Sequence, residues 1–429
     1  MDRRSIRNTL ASFIVSVVVT ASAFAQGLPI ATPESVGMSG ARLQRLSSAM
    51  KRAVDEGKVG GVVTLVARKG KVVHYENFGQ LDREKHVPMP KNAIFRIASM
   101  SKAITTTAAM MLVEEGRLLL EDPVSKFIPA FRKTTVMAAS TTSGPDVASV
   151  PARREITIRD LMTHTAGISY GSGPLEAQYK AANVYMWYFA DKDETIATTI
   201  ERLATLPFAS QPGERYVYGF SSDVLGVVVE RASGLSLDEF FRTRIFEPLK
   251  MTDSSFYLAP EKASRFATVY SAAPPDLTRA PEQGMGQGDY VKGPRKSYSG
   301  GAGVLSTASD YARFLQMLLN GGELDGVRLL GPKSVQLMTS NHVGNLYQEG
   351  RFGFGLGFEI VEHVGRSGRA GSVGEFGWGG AYYTKFWVDP VEKIVAVFMT
   401  QLLPSAGSAL QDQFRVLVNQ AVVASDVRH

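Results

Sequence analysis

The tetrad Ser99-Met100-Ser101-Lys102 sets a hydroxyl and a primary amine three residues apart. On a helix, residues at that spacing share a face about one turn apart. An amine beside a hydroxyl lets a weak nucleophile attack at neutral pH without a histidine, which narrows the chemistry to acyl transfer. The spacing alone recurs by chance, as Ser48-Ala49-Met50-Lys51 shows. That second pair lies in the amphipathic stretch Gly40 to Glu56 and reads as its solvated face. Ser99 differs in context. It follows Phe95-Arg96-Ile97-Ala98 and opens a helix, so its backbone N–H faces the positive end of the helix dipole.

Gly167-Ile168-Ser169-Tyr170-Gly171 offers a rival serine, because it fits the G-x-S-x-G nucleophile elbow. An elbow needs a strand before the serine and a helix after it. Here Thr157 to Thr163 has helical spacing, and Gly171-Ser172-Gly173-Pro174 follows. An aspartate and His363 could complete a triad on paper, but no local feature supports one, and the segment reads as a glycine-rich turn. The six histidines form no H-x-x-x-H or H-E-x-x-H pair. His164, in Leu161-Met162-Thr163-His164, reads as a structural cap at a helix end. Ser299 to Gly303 lacks the Gly-Lys-Ser/Thr ending of a phosphate loop. We expect no metal and no cofactor.

The chain has 429 residues, enough for two domains, and no cysteine, which excludes a disulfide framework and a thiolate metal site. Arg3, Arg4 and Arg7 precede an apolar run from Leu10 to Val19, and Ala23-Phe24-Ala25 supplies a small-x-small cleavage pattern. Residues 1–25 therefore read as a signal peptide, with export to the periplasm or medium. The run is shorter than the roughly 20 residues that span a bilayer, so no stable membrane insertion is expected. Removing three arginines and one aspartate with the signal lowers the net charge from +6 to +4. Charges of both signs are interspersed along the rest, which argues against a nucleic-acid partner.

The positioning elements follow from periodicity. After an extended linker from Gly27 to Val36, Leu43, Leu46, Met50 and Val54 stripe one helix. Val62 to Ala67 and Lys71 to Phe78 form a hairpin about Arg68-Lys69-Gly70. Helical spacing follows the tetrad over Ala103 to Glu115, and returns at Thr157 to Thr163, Glu194 to Leu206, Ser222 to Ala232, Ala308 to Leu319 and Pro332 to Thr339. Ala138 to Pro151 reads as a surface loop, and Ala272 to Ser299 as a long border loop. Strands are expected over Phe354 to Val361, Gly377 to Val388 and Lys393 to Gln401, then a helix from about Ser408 to Val422. Strands at both ends and helices between them give an α/β (α+β) fold. An antiparallel sheet built from residues 30–105 and 300–429 is flanked by helices, with a mainly helical domain, 106–299, inserted and the active site between them.

In order along the chain, these segments resemble the serine β-lactamase and penicillin-binding-protein superfamily, most nearly the class C-like family VIII carboxylesterases. The first motif is Ser99-Met100-Ser101-Lys102. The second, Y-x-N in lactamases, corresponds to Tyr218-Gly219-Phe220, after Pro212-Gly213-Glu214-Arg215 and before Asp223-Val224-Leu225-Gly226. The third, K-T-G or H-x-G, corresponds to Trp378-Gly379-Gly380. Leu161 to Gly167, Gly301 to Leu315 and Phe354 to Phe358 look like further blocks of the same superfamily.

The resemblance implies that Ser99 attacks an ester carbonyl while Lys102 and Tyr218 handle its proton. Lysine ordinarily ionises near pH 10.4 and tyrosine near 10, so which one is the base is a coupled question that sequence leaves open. The oxyanion is expected at the N–H groups of Ser99 and Ala381, with Gly379 and Gly380 admitting substrate to the strand edge. Phe220 and Trp378, expected to bind substrate, replace an amide and a cation with apolar rings. That favours a small neutral ester over a lactam. A β-lactamase or D-amino-acid peptidase of the same fold is the alternative reading; a non-catalytic penicillin-recognising module would normally have lost one of Ser99, Lys102 and Tyr218.

Overall fold

In the computed structural model, which describes residues 27–138, 147–273, 276–405 and 407–425, strand β1 (Gly61–Arg68) is buried along its whole length. Its apolar residues divide with the period of two that a strand imposes. Val62 and Val66 face one side of the sheet, and Val63, Leu65 and Ala67 the other. Beside it follow β2 (Lys71–Asp82) and β3 (Val87–Pro88). The C-terminal part of the chain supplies β4 (Gly353–Phe354), β5 (Glu359–Ile360), β6 (Phe376–Gly380), β7 (Thr384–Asp389) and β8 (Ile394–Met399). The eight strands form one sheet in the order β4-β5-β6-β7-β8-β1-β2-β3, each pair antiparallel. The central pairing of β8 with β1 joins the two ends of the chain. The expected signal segment lies outside the described residues, and among those described no helix is long and apolar enough to cross a membrane.

Helix α1 (Gly40–Asp55) and the last helix cover one face of this sheet. Ser39 caps α1 by accepting the Arg42 amide at 3.3 Å, which satisfies one of the free donors at a helix start. The predicted stripe of Leu43, Leu46 and Met50 is buried against Phe414 and Val418 of the last helix and against Trp387 of β7. On the other face lies α2 (Ser101–Glu114), buried on all sides from Ser101 to Leu112. On the same side are α3 (Ile158–Met162), α4 (Ile196–Leu203) and α5 (Ser221–Ser233), with α5 packed on α2, α3 and α4. There too is α6 (Ala308–Leu319), which lies directly on β8, β1 and β7, before α7 (Leu410–Asn419) returns to the first face. Helix α3 is held by a full capping box of Thr157 and Asp160, with Arg154 paired to the same carboxylate.

Some expected elements are divided. The apolar run from Gly377 to Val388 is two strands, because Gly380 to Tyr383 forms a tight turn in which the Tyr383 amide bonds the Gly380 carbonyl at 2.9 Å. Tyr383 adopts φ of +66° there. Phe354 to Val361 is likewise a short hairpin, broken at Gly357 with φ of +89°. Part of the expected loop 138–151 pairs as strands, Thr135–Met137 against Ser149–Pro151, with residues 139–146 outside those described. The expected border loop begins with a further hairpin, Tyr270–Ala273 against Asp276–Arg279. Residues 266–270 bond back to the sheet side of the molecule: the Thr268 amide meets the Leu81 carbonyl at 2.9 Å and the Tyr270 amide meets that of Gln401 at 3.0 Å.

Arg68 ends β1 as a fully buried guanidinium. It pairs with Glu392 at 2.5 Å and donates to the carbonyls of Gly37 and Ala424, both at 2.8 Å. It thus fastens both ends of the described chain to the sheet. Removing one partner of a buried pair strands the other, at a cost of about 3–5 kcal/mol. Arg68→Met is expected to lose that much stability in urea unfolding, with the native far-ultraviolet circular dichroism retained before the transition.

Candidate active site

The nucleophile segment is placed by backbone pairing before any side chain contributes. Phe95–Arg96 pairs with Leu305–Ser306, and the Ile97 amide bonds the Val304 carbonyl at 3.2 Å. Ala98 then turns to φ of +41°, a left-handed conformation uncommon for a residue with a Cβ and costing on the order of 1–3 kcal/mol. The turn sends Ala98–Met100 into a short 3-10 helix that leads into α2, leaving Ser99 partly exposed. Tyr311 of α6 donates to the Met100 carbonyl at 2.8 Å, and the Val304 amide donates to Ser101 Oγ at 3.0 Å. Arg96, buried and paired with no carboxylate among the described residues, donates to the carbonyls of Gln287 (2.8 Å) and Ala267 (2.7 Å) and to Gln401 Oε1 (3.2 Å). Its guanidinium lies 3.7 Å over the Phe266 ring, and burial lowers its pKa to about 10.

Lys102 is 2% exposed, and its Nζ donates to Ser99 Oγ at 3.2 Å, Tyr170 Oη at 3.0 Å and the Gly301 carbonyl at 2.8 Å. A lysine has three donors and no acceptor, so the three contacts account for its capacity. Gly301 is held in turn by Asp223 of α5, whose Oδ1 accepts the Gly301 amide at 3.0 Å and the Ser299 hydroxyl at 2.5 Å. A Cβ at Gly301 would fall 2.4 Å from that carboxylate, so only glycine fits. Burial raises the pKa of Asp223, and Lys102 opposes the shift.

Tyr218 stands over the same amine, with Lys102 Nζ 4.7 Å from its ring centroid. Its Oη accepts the indole N–H of Trp378 at 3.2 Å. Trp378 is braced by Phe354 (centroids 5.3 Å) and Tyr347 (6.3 Å). Tyr170 is the second tyrosine at the amine. Its loss of water, reinforced by Tyr218 and Asp223, pushes its pKa well above the ordinary value, so it keeps its proton at neutral pH. His164 follows α3 at φ of +57°, but its buried ring packs on Tyr218 at 4.7 Å, with Tyr216 and Phe354 also beside it. Burial, with Lys102 nearby, holds it well below the usual histidine range and therefore neutral.

Strand β6 brings the third motif against the nucleophile. A Cβ at Gly380 would lie 2.3 Å from the Ile97 carbonyl and 2.2 Å from Thr384 Oγ1. That glycine lets the β6–β7 turn, with Ala381 on it, reach the segment carrying Ser99. Ala98 and Ala381 share one small apolar cluster. Phe220, expected to bind substrate, is fully buried instead. Its ring packs edge-on to Tyr170 at 4.8 Å and against Tyr179 and Phe189. The apolar ring immediately before α5 is drawn into the core, so Phe220 supports Tyr170 from behind and has no exposed surface to offer a substrate. Ser169 is buried, its Oγ accepting the Gly171 amide at 3.1 Å. The element before it is the helix α3, and His363 lies on the surface, bonding its own helix start.

A family model described as Beta-lactamase matches residues 46–420. The chain belongs to this family. It is 36% identical over 372 residues to Protein Rv1367c of Mycobacterium tuberculosis, covering 83% of this chain and 89% of that one. It is 28% identical to Esterase EstB of Burkholderia gladioli over 403 residues, covering 89% of this chain and 95% of that one. Among solved structures it matches EstCE1, described as a hydrolase with promiscuous acyltransferase activity, with a TM-score of 0.74 at 27% identity, covering 88% of this chain and 98% of that one. The family and its esterase members support a hydrolase.

Sequence reasoning passed over Tyr170, Gly301 and Asp223. The signal for Tyr170 was present in the elbow match, which drew attention to Ser169 one residue too early. Asp223 stands in the flank of the second motif and Gly301 opens a block read as framework, and their contact joins positions 78 residues apart, which spacing cannot show. The two tyrosines are separable by experiment. Tyr218→Phe is expected to slow labelling of Ser99 by a fluorescent phosphonate on the order of 10²–10⁴-fold, the range for a lost proton-transfer group. Tyr170→Phe removes one hydrogen bond to a charged group and is expected to slow it roughly 10–100-fold.

Proposed function

We propose that the protein is a serine esterase that cleaves short-chain carboxylic esters through an acyl-enzyme on Ser99. The observation that carries this reading is the single amine of Lys102, which meets Ser99 Oγ and lies against the face of Tyr218. In this proposal Tyr218 enters as the phenolate: Ser99 Oγ attacks the ester carbonyl as its proton passes to the Tyr218 oxygen, with the Lys102 cation beside that ring. Tyr170 keeps its proton, and our reading gives the transfer to Tyr218, with Lys102 as the cation that holds Ser99 Oγ. The backbone N–H groups of Ser99 and Ala381 are the proposed oxyanion donors, each worth roughly 2.7–4 kcal/mol in a site of this type. Tyr218 then gives the proton to the leaving alkoxide and, again a phenolate, takes a proton from the water that attacks the acyl carbon; that proton returns to Ser99 Oγ as the acid leaves.

The ester reading over the lactam one rests on Trp378. A lactam or peptide substrate carries a carboxylate, and a cation at this position would contribute about 1.5–3 kcal/mol of charge-assisted binding. The indole has no charge, and its one N–H is already given to Tyr218. A binding module without catalysis has no need of an amine that meets both this hydroxyl and this phenol ring. A second acceptor for the acyl group is also compatible with the site, since an alcohol could replace water; the promiscuous transferase activity named for EstCE1 makes this worth measuring.

A kinetic panel tests the proposal. The wild-type protein is expected to turn over p-nitrophenyl acetate and butyrate with kcat/KM at least 100-fold above that for a cephalosporin or a D-Ala-D-Ala peptide. Ser99→Ala is expected to abolish ester turnover and Ser169→Ala to keep it. Lactam turnover equal to or faster than ester turnover would move the protein to the lactamases.

A further inference from the structure

We propose that Trp187 closes the acyl side of the site and limits the length of acyl chain it accepts. This rests on the esterase reading above and adds the residue that sets its specificity. The leaving alcohol must take a proton from Tyr218, so the alcohol portion of the substrate lies on the side of Tyr218 and Trp378. With the carbonyl oxygen directed at Ser99 and Ala381, the acyl chain takes the remaining direction, past Ala98 and the β6–β7 turn.

Trp187 stands there. It is half-buried and packs on the small cluster of Ala98, Val269, Ala280, Ala302 and Tyr382, against which Ala381 also packs; Ala98 adjoins the nucleophile, Ala302 the Lys102 anchor, and Ala381 carries the proposed oxyanion donor. Its indole meets Tyr382 edge-on, with centroids 5.4 Å apart and planes at 89°. The backbone leading to it is specially shaped: Asn183 and Met186 adopt φ of +55° and +61°. The Met186 amide bonds the Tyr170 carbonyl at 3.2 Å. The position of the indole is therefore tied to the tyrosine that contacts Lys102.

Behind Trp187 lies a cavity of about 10 Å³, bordered also by Phe189, Phe256, Tyr257 and Tyr290. That is room for about one water, beside a Ser297 hydroxyl with no hydrogen-bond partner among the described residues. As the indole forms one wall of this cavity, truncating Trp187 joins it to the acyl side of the site. Aromatic walls of this kind suit a hydrocarbon chain.

The experiment varies the two halves of the ester separately. Trp187→Ala is expected to raise the ratio of kcat/KM for p-nitrophenyl octanoate over acetate at least tenfold, the scale on which a hydrophobic pocket discriminates chain length. The ratio between 2-naphthyl and phenyl acetates, which differ only in the alcohol, is expected to stay within about twofold. Trp187→Leu should give an intermediate acyl ratio and provides the test if the alanine variant does not fold. An unchanged acyl ratio in folded variants that still label at Ser99, or a shift in the alcohol ratio in its place, overturns the assignment while leaving the esterase reading intact. A wild-type protein inactive on every ester overturns both.

Discussion

The site depends on where one buried amine is held. Lys102 has almost no contact with water, and its amine is shared among a serine hydroxyl, a tyrosine hydroxyl and one backbone carbonyl. A buried polar group of this kind is tolerated only when its hydrogen bonds are made. Much of the surrounding architecture supplies those partners. Helix α2 carries the amine and α5 carries the carboxylate that holds Gly301. The segment after α3 presents Tyr170, and Phe220 packs behind that ring.

The second constraint is close approach of backbones. Gly380 lets the β6–β7 turn meet the Ile97 carbonyl, and Gly301 lets its loop meet Asp223, each in a space that a methyl group would overfill. Both approaches place a peptide group, and neither shows in the side-chain chemistry of the position. They also explain why the strained Ala98 persists, since the segment before it is fixed by strand pairing and by the buried Arg96. Strain held in this way sets a nucleophile in one orientation.

Much of this could be read in the sequence. Regular periodicity placed α1, β1, α6 and the last helix within a few residues of where they lie, because each buries one continuous face. The order of the three motifs pointed to Ser99, Lys102, Tyr218 and Trp378, and the structure brings these four together. Hairpins hidden in apolar runs were missed, as at Gly380–Tyr383, because strand propensity continues through the turn and only the paired glycines mark it. Phe220 was misplaced because a motif position says which residue stands there and not which way its ring turns. Tyr170 and Asp223 act through contacts between distant segments, and a single sequence carries no record of those.

The central claim is that acyl transfer passes through Ser99. Rapid acid quench of the enzyme turning over p-nitrophenyl butyrate, followed by peptide mass spectrometry, tests it most directly. The account predicts a butyryl mass increment on the peptide carrying Ser99 and none on the peptide carrying Ser169. An increment on Ser169, or full turnover with no adduct under conditions where deacylation has been slowed, would contradict it.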